Sequence, residues 1–312
     1  MIFPAGTVDA IWLCKVLIGI DWGGTKIEGV AMLASGDELL RLRVDTPRHD
    51  YAACLTAIRD LVARLEGETA QKGSIGIGIP GSLEPVSRLG KGASSTWILG
   101  KPVEADLRDM LKRDIRVDND GNCMAASEAF DGAAAGYNVV FAMILGSGAG
   151  AGIAVGGRAH AGPNNSAGQW GHNPLPFPDT SEITGPPCYC GRHGCMETWV
   201  SGRAFEAQFH AHTGQTLKAR QIIDLKRQGD RLAGMLWDRY IDRVARGMAV
   251  VVNTLDPDII VCGGGMSNID ELYQDLPDAL SKRIFSTVFH TPIRKNLHGD
   301  SSGVRGAARL WA

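Results

Sequence analysis

The sequence carries almost no net charge. Its 32 Lys plus Arg stand against 34 Asp plus Glu, a balance of -2 at pH 7 over 312 residues. Without a bulk positive field it does not read as a general binder of nucleic acid or of an anionic membrane. It also lacks a disulfide framework. Seven cysteines, an odd number, are scattered from Cys14 to Cys262 with only three clustered, which points to a reducing cytoplasm. No basic segment opens the chain, and residues 1–15 hold too short an apolar run for a signal peptide, so they read as an extension of unknown role. The long uncharged stretch 132–157 contains eight glycines and reads as buried strand blocks rather than a membrane span. No short-period repeat is visible, which excludes a solenoid.

What is present is an alternation of strands, glycine turns and helices. From Val16 the chain reads strand, glycine turn, strand, then a third strand near Leu39 to Val44. Tyr51, Cys54, Leu55, Ile58, Leu61, Val62 and Leu65 then fall on one helical face. Ser74 to Ile79 is a short strand ending at Pro80 and Gly81, and a further strand runs through Arg116 and Val117 into Asp118, Asn119 and Asp120. The second half repeats the style. Val139 to Leu145 and Gly152 to Val155 flank a glycine turn, a polar segment runs from Arg158 to Pro187, and helices near Leu232 to Val252 and Ile269 to Phe285 flank the strand Ile259 to Cys262. Two α/β halves that each open with strand, glycine turn and strand predict a duplicated two-domain fold with a cleft between them. Cys14, Cys54, Cys123 and Cys262 lie in apolar contexts and read as core.

Three glycine turns stand where a backbone can approach phosphate oxygens. They are Asp21 to Lys26, Gly146 to Gly150, and Gly263 to Gly265 ahead of a helix. None is a Walker A or strict dinucleotide loop, and any one alone reads first as a tight turn; it is the recurrence at corresponding points of two halves that points to phosphate. Cys188, Cys190 and Cys195 supply three closely spaced thiolates, which in a reducing compartment read as metal ligands in preference to free loop thiols. Of Asp118 and Asp120, either can cap the helix that starts near Gly121. Trp97 and Trp170 read either as sugar-stacking or as core residues.

These motifs together resemble the ROK family of sugar kinases and sugar-responsive repressors, from Val16 to the C-terminus. The carriers are Asp21 to Lys26, Gly78 to Gly81, Asn119 with Asp120, the turn at Gly146, Cys188 to Glu197, and His298 to Ala307. Within the family the pattern is most like bacterial fructokinases that also accept mannose. The resemblance implies the actin-like/hexokinase fold (ribonuclease H-like), with an N-terminal domain over 16–118 completed by a helix at about 300–312. A second domain over 119–299 would carry a zinc loop at 172–195. It implies ATP held by Asp21, Gly23, Gly24, Thr25, Lys26, Gly146, Ser147, Gly148, Gly264 and Gly265, with Mg2+ associated with the phosphates. It further implies Asp120 as general base, a sugar bound by Ser94, Asn119, Asp120, Gln169, His172 and Glu197, and a structural Zn2+ on His172, Cys188, Cys190 and Cys195. A homodimer is implied as well. The expected reaction is phosphorylation of fructose to fructose 6-phosphate, the alternatives being mannose, glucose, N-acetylglucosamine or N-acetylmannosamine as substrate, or a sugar-binding protein without catalysis. Repressors of the family carry an N-terminal helix-turn-helix domain, for which the fifteen residues ahead of Val16 are too few. The sugar side departs from the fructokinase pattern: Gly92 and Ser94 stand where it has Asn, and Gln169 where it has Glu. An amide offers a donor that a carboxylate lacks, so these exchanges bear on which hexose fits.

Overall fold

The computed structural model describes residues 15–92 and 95–311. Most of the N-terminal extension, with Cys14, and the sugar-side residue Ser94 lie outside the described residues. The described chain divides into two compact units. One holds the residues up to Ser127 together with Pro163–Asn165 and those from Ser301 onward; the other holds Glu128–Gly162 and Ser166–Asp300.

The first unit is built on β1 (Val16–Trp22), β2 (Lys26–Leu33), β3 (Glu38–Asp45), β4 (Ser74–Ile79) and β7 (Ile115–Asn119), in the order β3-β2-β1-β4-β7. A two-stranded ribbon, β5 (Ser82–Leu83) with β6 (Gly90–Lys91), stands apart. β1 pairs antiparallel with β2 and parallel with β4, and β4 pairs parallel with β7. Helix α1 (Tyr51–Thr69), capped by Asp50, buries the periodic face Cys54, Leu55, Ile58, Leu61, Val62 and Leu65. These pack with Ile18, Ile20, Ile75 and Ile77 of the sheet. Helix α2 (Val103–Leu111) adds Val103 and Leu107 to the same core.

The opposite face of this sheet has glycine where the first has isoleucine. Gly19 and Gly76 are register partners on β1 and β4. A Cβ added to either would lie 2.0 Å from the carbonyl oxygen of Val304 or 1.9 Å from that of Ala307. The backbone of the C-terminal helix (Ser302–Arg309) therefore rests directly on the strands. Gly306 of that helix faces α3 (Asp120–Asp131), where a Cβ would meet Cys123 O at 1.6 Å. This packing keeps the first turns of α3 with the first unit, so the division falls at Ser127 rather than at 118–119.

The second unit repeats the pattern with β8 (Val139–Leu145), β9 (Ala149–Val155), β10 (Arg158–Ala159), β11 (Ile259–Gly263) and β12 (Ile293–Lys295) in the order β10-β9-β8-β11-β12. Here too the first strand pairs antiparallel with its hairpin partner and parallel with the next, so the expected duplication is present. Helices α4 (Glu197–Val200), α5 (Gly202–Thr213), α6 (Ala219–Arg227), α7 (Arg231–Leu255) and α8 (Glu271–Ser281) complete it. Its core centres on α7, with Leu236, Trp237, Tyr240, Val244 and Met248 all buried. Among the described residues no helix is long and apolar enough to cross a membrane.

Candidate active site and metal centre

In the first unit, Asp21 sits near the end of β1, in register with Glu28 of β2 and Gly78 of β4. The turn that follows is tight. Gly23 N donates to Lys26 O (3.0 Å), Thr46 N donates to Thr25 O (3.1 Å), and Thr46 Oγ1 donates to Gly23 O (2.8 Å), so the end of β3 fixes the turn. A Cβ on Gly24 would lie 3.2 Å from Ser95 Oγ, which places this turn beside the segment expected to meet the sugar. The Asp21 carboxylate lies next to Gly303, in the first turn of the C-terminal helix. Burial, with Asp120 and Glu28 nearby, pushes it up to about 7 against the pull of Lys26 and Arg43.

Asp120 opens α3 where β7 ends. Asn119 is anchored by donating from Nδ2 to Gly81 O (2.6 Å), while its Oδ1 accepts from Gly121 N (2.8 Å). Asp118 Oδ1 accepts from Asn119 N (2.7 Å) and Asn122 Nδ2 (2.9 Å). The helix start is thus held by Asp118 and Asn119. Asp120 Oδ1 accepts from Gly121 N (2.8 Å). Burial raises the Asp120 carboxyl to about 6, opposed by the Gly121 N–H and the Asn119 side chain. A carboxylate so poised accepts a proton near neutral pH, as a general base requires.

In the second unit the glycine turns meet. Gly146 N donates to Gly148 O (2.9 Å) and Gly146 O accepts from Gly202 N (2.8 Å). Gly264, at φ +79°, has room for no Cβ, since one would lie 2.6 Å from the Leu145 carbonyl carbon. Gly146, Ser147, Gly148, Gly264 and Gly265 are thus gathered at the C-terminal ends of the parallel strands β8 and β11, where α/β sheets bind ligands. The helix expected directly after Gly265 is a 3-10 turn, Gly265–Asn268, held by Ser267 Oγ donating to Gly264 O (2.7 Å). α8 starts only at Glu271, so no long helix points its N-terminus at this turn.

Glu197 Oε2 accepts from Ala149 N (3.1 Å) and crowds the position a Gly148 Cβ would take, at 2.5 Å. A Cβ on Gly171 would lie 1.8 Å from Ala149 O, and Trp170 Nε1 donates to Gly150 O (2.8 Å). Gln169, His172 and Glu197 are therefore brought to the same stretch of β9. Trp170 is a core residue, edge-on to Phe141. Trp97, in the first unit, is partly buried and edge-on to His49.

His172, Cys188, Cys190 and Cys195 do converge, their ligand atoms all lying within 4.8 Å of one another. Cys188 Sγ is 3.6 Å from His172 Nδ1 and Cys190 Sγ is 3.6 Å from Cys195 Sγ. A tetrahedral zinc with bonds of about 2.0–2.3 Å needs ligand atoms roughly 3.3–3.8 Å apart, so the set fits. Burial holds the His172 imidazole below its usual value, on the neutral side a ligand needs, whereas burial and the neighbouring thiols push Cys195 up to about 12, so its thiolate forms only with a cation beside it. Burial opposes ionisation of Cys190 too, but the Arg192 backbone and guanidinium bring it down to about 7. His172 Nε2 is 3.0 Å from Tyr189 Oη, the outer partner that orients a ligating imidazole. Both ring nitrogens thus have a neighbour, Nδ1 in the cysteine cluster and Nε2 at the Tyr189 hydroxyl. Tyr189 was not singled out from the sequence, although its place between Cys188 and Cys190 was a signal.

Sequence reasoning also passed over a buried charge cluster, Glu182 with Arg243 and Arg246. Its signal was a row of arginines, Arg239, Arg243 and Arg246, at helical spacing along one helix.

The ROK family model matches residues 17–312. An N-acetyl-D-glucosamine kinase of Pectobacterium carotovorum subsp. carotovorum is 40% identical over 297 residues, covering 94% of this chain and 97% of its own. Among solved structures, the ROK hexokinase of Thermus thermophilus superposes with a TM-score of 0.83 at 28% identity, covering 96% of this chain and 98% of that one. A ROK family glucokinase of Streptomyces griseus, in complex with glucose and AMPPNP, gives 0.79 at 25% identity over 95% and 99%.

Proposed function

The chain belongs to the ROK family, and on that premise we propose that it is an ATP-dependent kinase of N-acetyl-D-glucosamine. The carrying observation is the 40% identity over 94% of the chain to a kinase of that sugar. The exchanges at Gly92, Ser94 and Gln169 away from the fructokinase pattern support it, and fructose becomes the alternative hexose. A sugar hydroxyl left unpaired in a closed site costs about 1–3 kcal/mol, enough to reorder preferences among hexoses.

In this reading the sugar hydroxyl oxygen attacks the γ-phosphorus of ATP, the bond to the β-phosphate oxygen breaks, and ADP leaves. Asp120 accepts the hydroxyl proton on its carboxylate, in the strand-to-helix turn held by the Asn119 and Asp118 hydrogen bonds. Asn119, Gln169 and Glu197 orient the sugar. The turns bearing Gly24, Gly148 and Gly265 hold the phosphate oxygens, the Gly23 and Gly146 N–H groups being used within the turns themselves, and Asp21 stands ready for a magnesium that arrives with the ATP. Positioning supplies most of the rate. His172, Cys188, Cys190 and Cys195 would hold zinc, which closes four positions and so shapes the loop instead of polarising substrate.

ADP release by the purified protein, measured with ATP and magnesium across N-acetylglucosamine, fructose, mannose, glucose and N-acetylmannosamine, tests this directly. N-acetylglucosamine is expected to give the highest kcat/KM. A higher value for fructose overturns the substrate. A sugar that raises the melting temperature while none is phosphorylated overturns the kinase.

A further inference from the structure

Between the metal ligands His172 and Cys188 runs the segment 173–187, which has no helix or strand of its own. Apolar burial does little to hold its middle, because Phe177 and Ile183 are 83% and 69% exposed. A buried ion cluster holds it instead. Glu182 Oε1 accepts from Arg243 Nε (2.7 Å) and Arg246 Nη2 (3.1 Å), and Oε2 accepts from Arg246 Nη1 (2.9 Å) and from Asp179 N (3.1 Å). Arg246 Nη1 also donates to Phe177 O (2.7 Å). At the exposed edge, Arg239 Nη2 donates to Ser181 Oγ (2.6 Å). All three arginines stand on α7.

Arg243 does a second thing. Its guanidinium lies 4.5 Å from the centroid of the Trp199 ring, and Trp199 belongs to α4, the helix that Glu197 opens. One guanidinium thus grips the segment 173–187 by its edge and the Glu197 helix by its face. Desolvation of a buried ion pair offsets most of its attraction, so such a cluster contributes more to register than to stability.

We propose that Glu182 is a positioning residue for the sugar side of the site: it fixes the segment between His172 and Cys188 to α7 and, through Arg243, to the helix bearing Glu197, before metal or sugar binds. The sugar half of this rests on the assignment of Gln169 and Glu197 to the substrate; the anchoring half does not.

The test is Glu182→Gln in the full chain, which keeps the shape and removes the charge that the two arginines share. Proteinase K, a serine protease that works with the chelator present and can cut after the exposed Ile183, is applied to wild type and variant after chelation of metal. The variant is expected to be cut within 173–187 about tenfold faster, because local opening sets cleavage. In the metal-loaded protein, the KM for N-acetylglucosamine is expected to rise about tenfold while that for ATP moves less than about twofold. Equal cleavage rates together with an unchanged sugar KM overturn the proposal. If wild type phosphorylates no sugar, the substrate reading fails and the proteolysis rates alone decide the anchoring. Should Glu182→Gln not fold, Arg239→Ala removes the exposed edge of the same grip. Cleavage about threefold faster supports it, and an unchanged rate overturns it.

Discussion

At the scale of single residues, Asp120 and Asp21 are the groups whose environment says most. Asp120→Asn is expected to lower kcat by about 10²–10⁴-fold while nucleotide binding, followed by calorimetry, stays near the wild-type value. In the wild type, kcat/KM is expected to fall as pH drops below about 6, where the buried Asp120 carboxyl takes up a proton. Stability runs the other way. Both carboxyls are raised above the unfolded value of about 3.9, so the folded state binds more protons, and stability is lost as pH rises through about 6 to 7. Asp21→Asn should therefore raise the melting temperature at pH 8, by about 2–4 °C for each kcal/mol relieved, and converge on wild type near pH 4. The motif alone pointed to Asp120, but two aspartates near one helix start left capping and catalysis undivided. Only the Asp118 contacts to Asn119 N and Asn122 separate them. His172 was legible as a ligand. That its second nitrogen is taken by Tyr189 is a tertiary fact no spacing contains.

At the scale of elements, the longer strands were legible, several almost to the residue, while the short β5, β6, β10 and β12 were not read. Ser74–Ile79 and Val139–Leu145 end at glycine or proline turns that mark their own limits. α2, α5 and α6 were not read: at 9, 12 and 9 residues, burying two or three positions each, they offer too few turns to establish a period. The glycines that seat the C-terminal helix looked like ordinary strand and helix residues. Gly19→Ala, whose Cβ would press on the Val304 carbonyl, is expected to cost about 1–3 kcal/mol or more in a thermal melt, well above an exposed Gly→Ala. In the metal loop, atomic emission should find roughly one zinc per chain, lost together with a cooperative melt of the loop in Cys190→Ser. Burial would raise the Glu182 carboxyl, but Arg246 and Arg243 hold it down to about 2. Its share of stability is thus present above the unfolded value of about 4.3 and lost as pH falls toward 2. Unfolding of Glu182→Gln and wild type should accordingly differ at pH 6 and converge near pH 2.

At the scale of the whole molecule, the duplication of strand, glycine turn and strand was visible in the sequence, and the two sheets carry the same strand order. Substrate choice was less legible. The resemblance pointed to fructose, while the proposed substrate rests on the 40% identity over 297 residues to an N-acetyl-D-glucosamine kinase. A sugar bound at about 100 times its Kd should add about 2.7 kcal/mol to the folded state, so thermal shift ranks the hexoses independently of turnover. The first unit is also discontinuous, with β1 near one end of the chain and the helix that rests on Gly19 and Gly76 near the other. During synthesis the strand leaves the ribosome roughly 280 residues before its cover, a delay on the order of half a minute at about 5–20 residues per second. Throughout that interval one face of the sheet stays bare. The nascent chain is therefore expected to lean on chaperones, and refolding of the first unit to be limited by a late docking of its last helix.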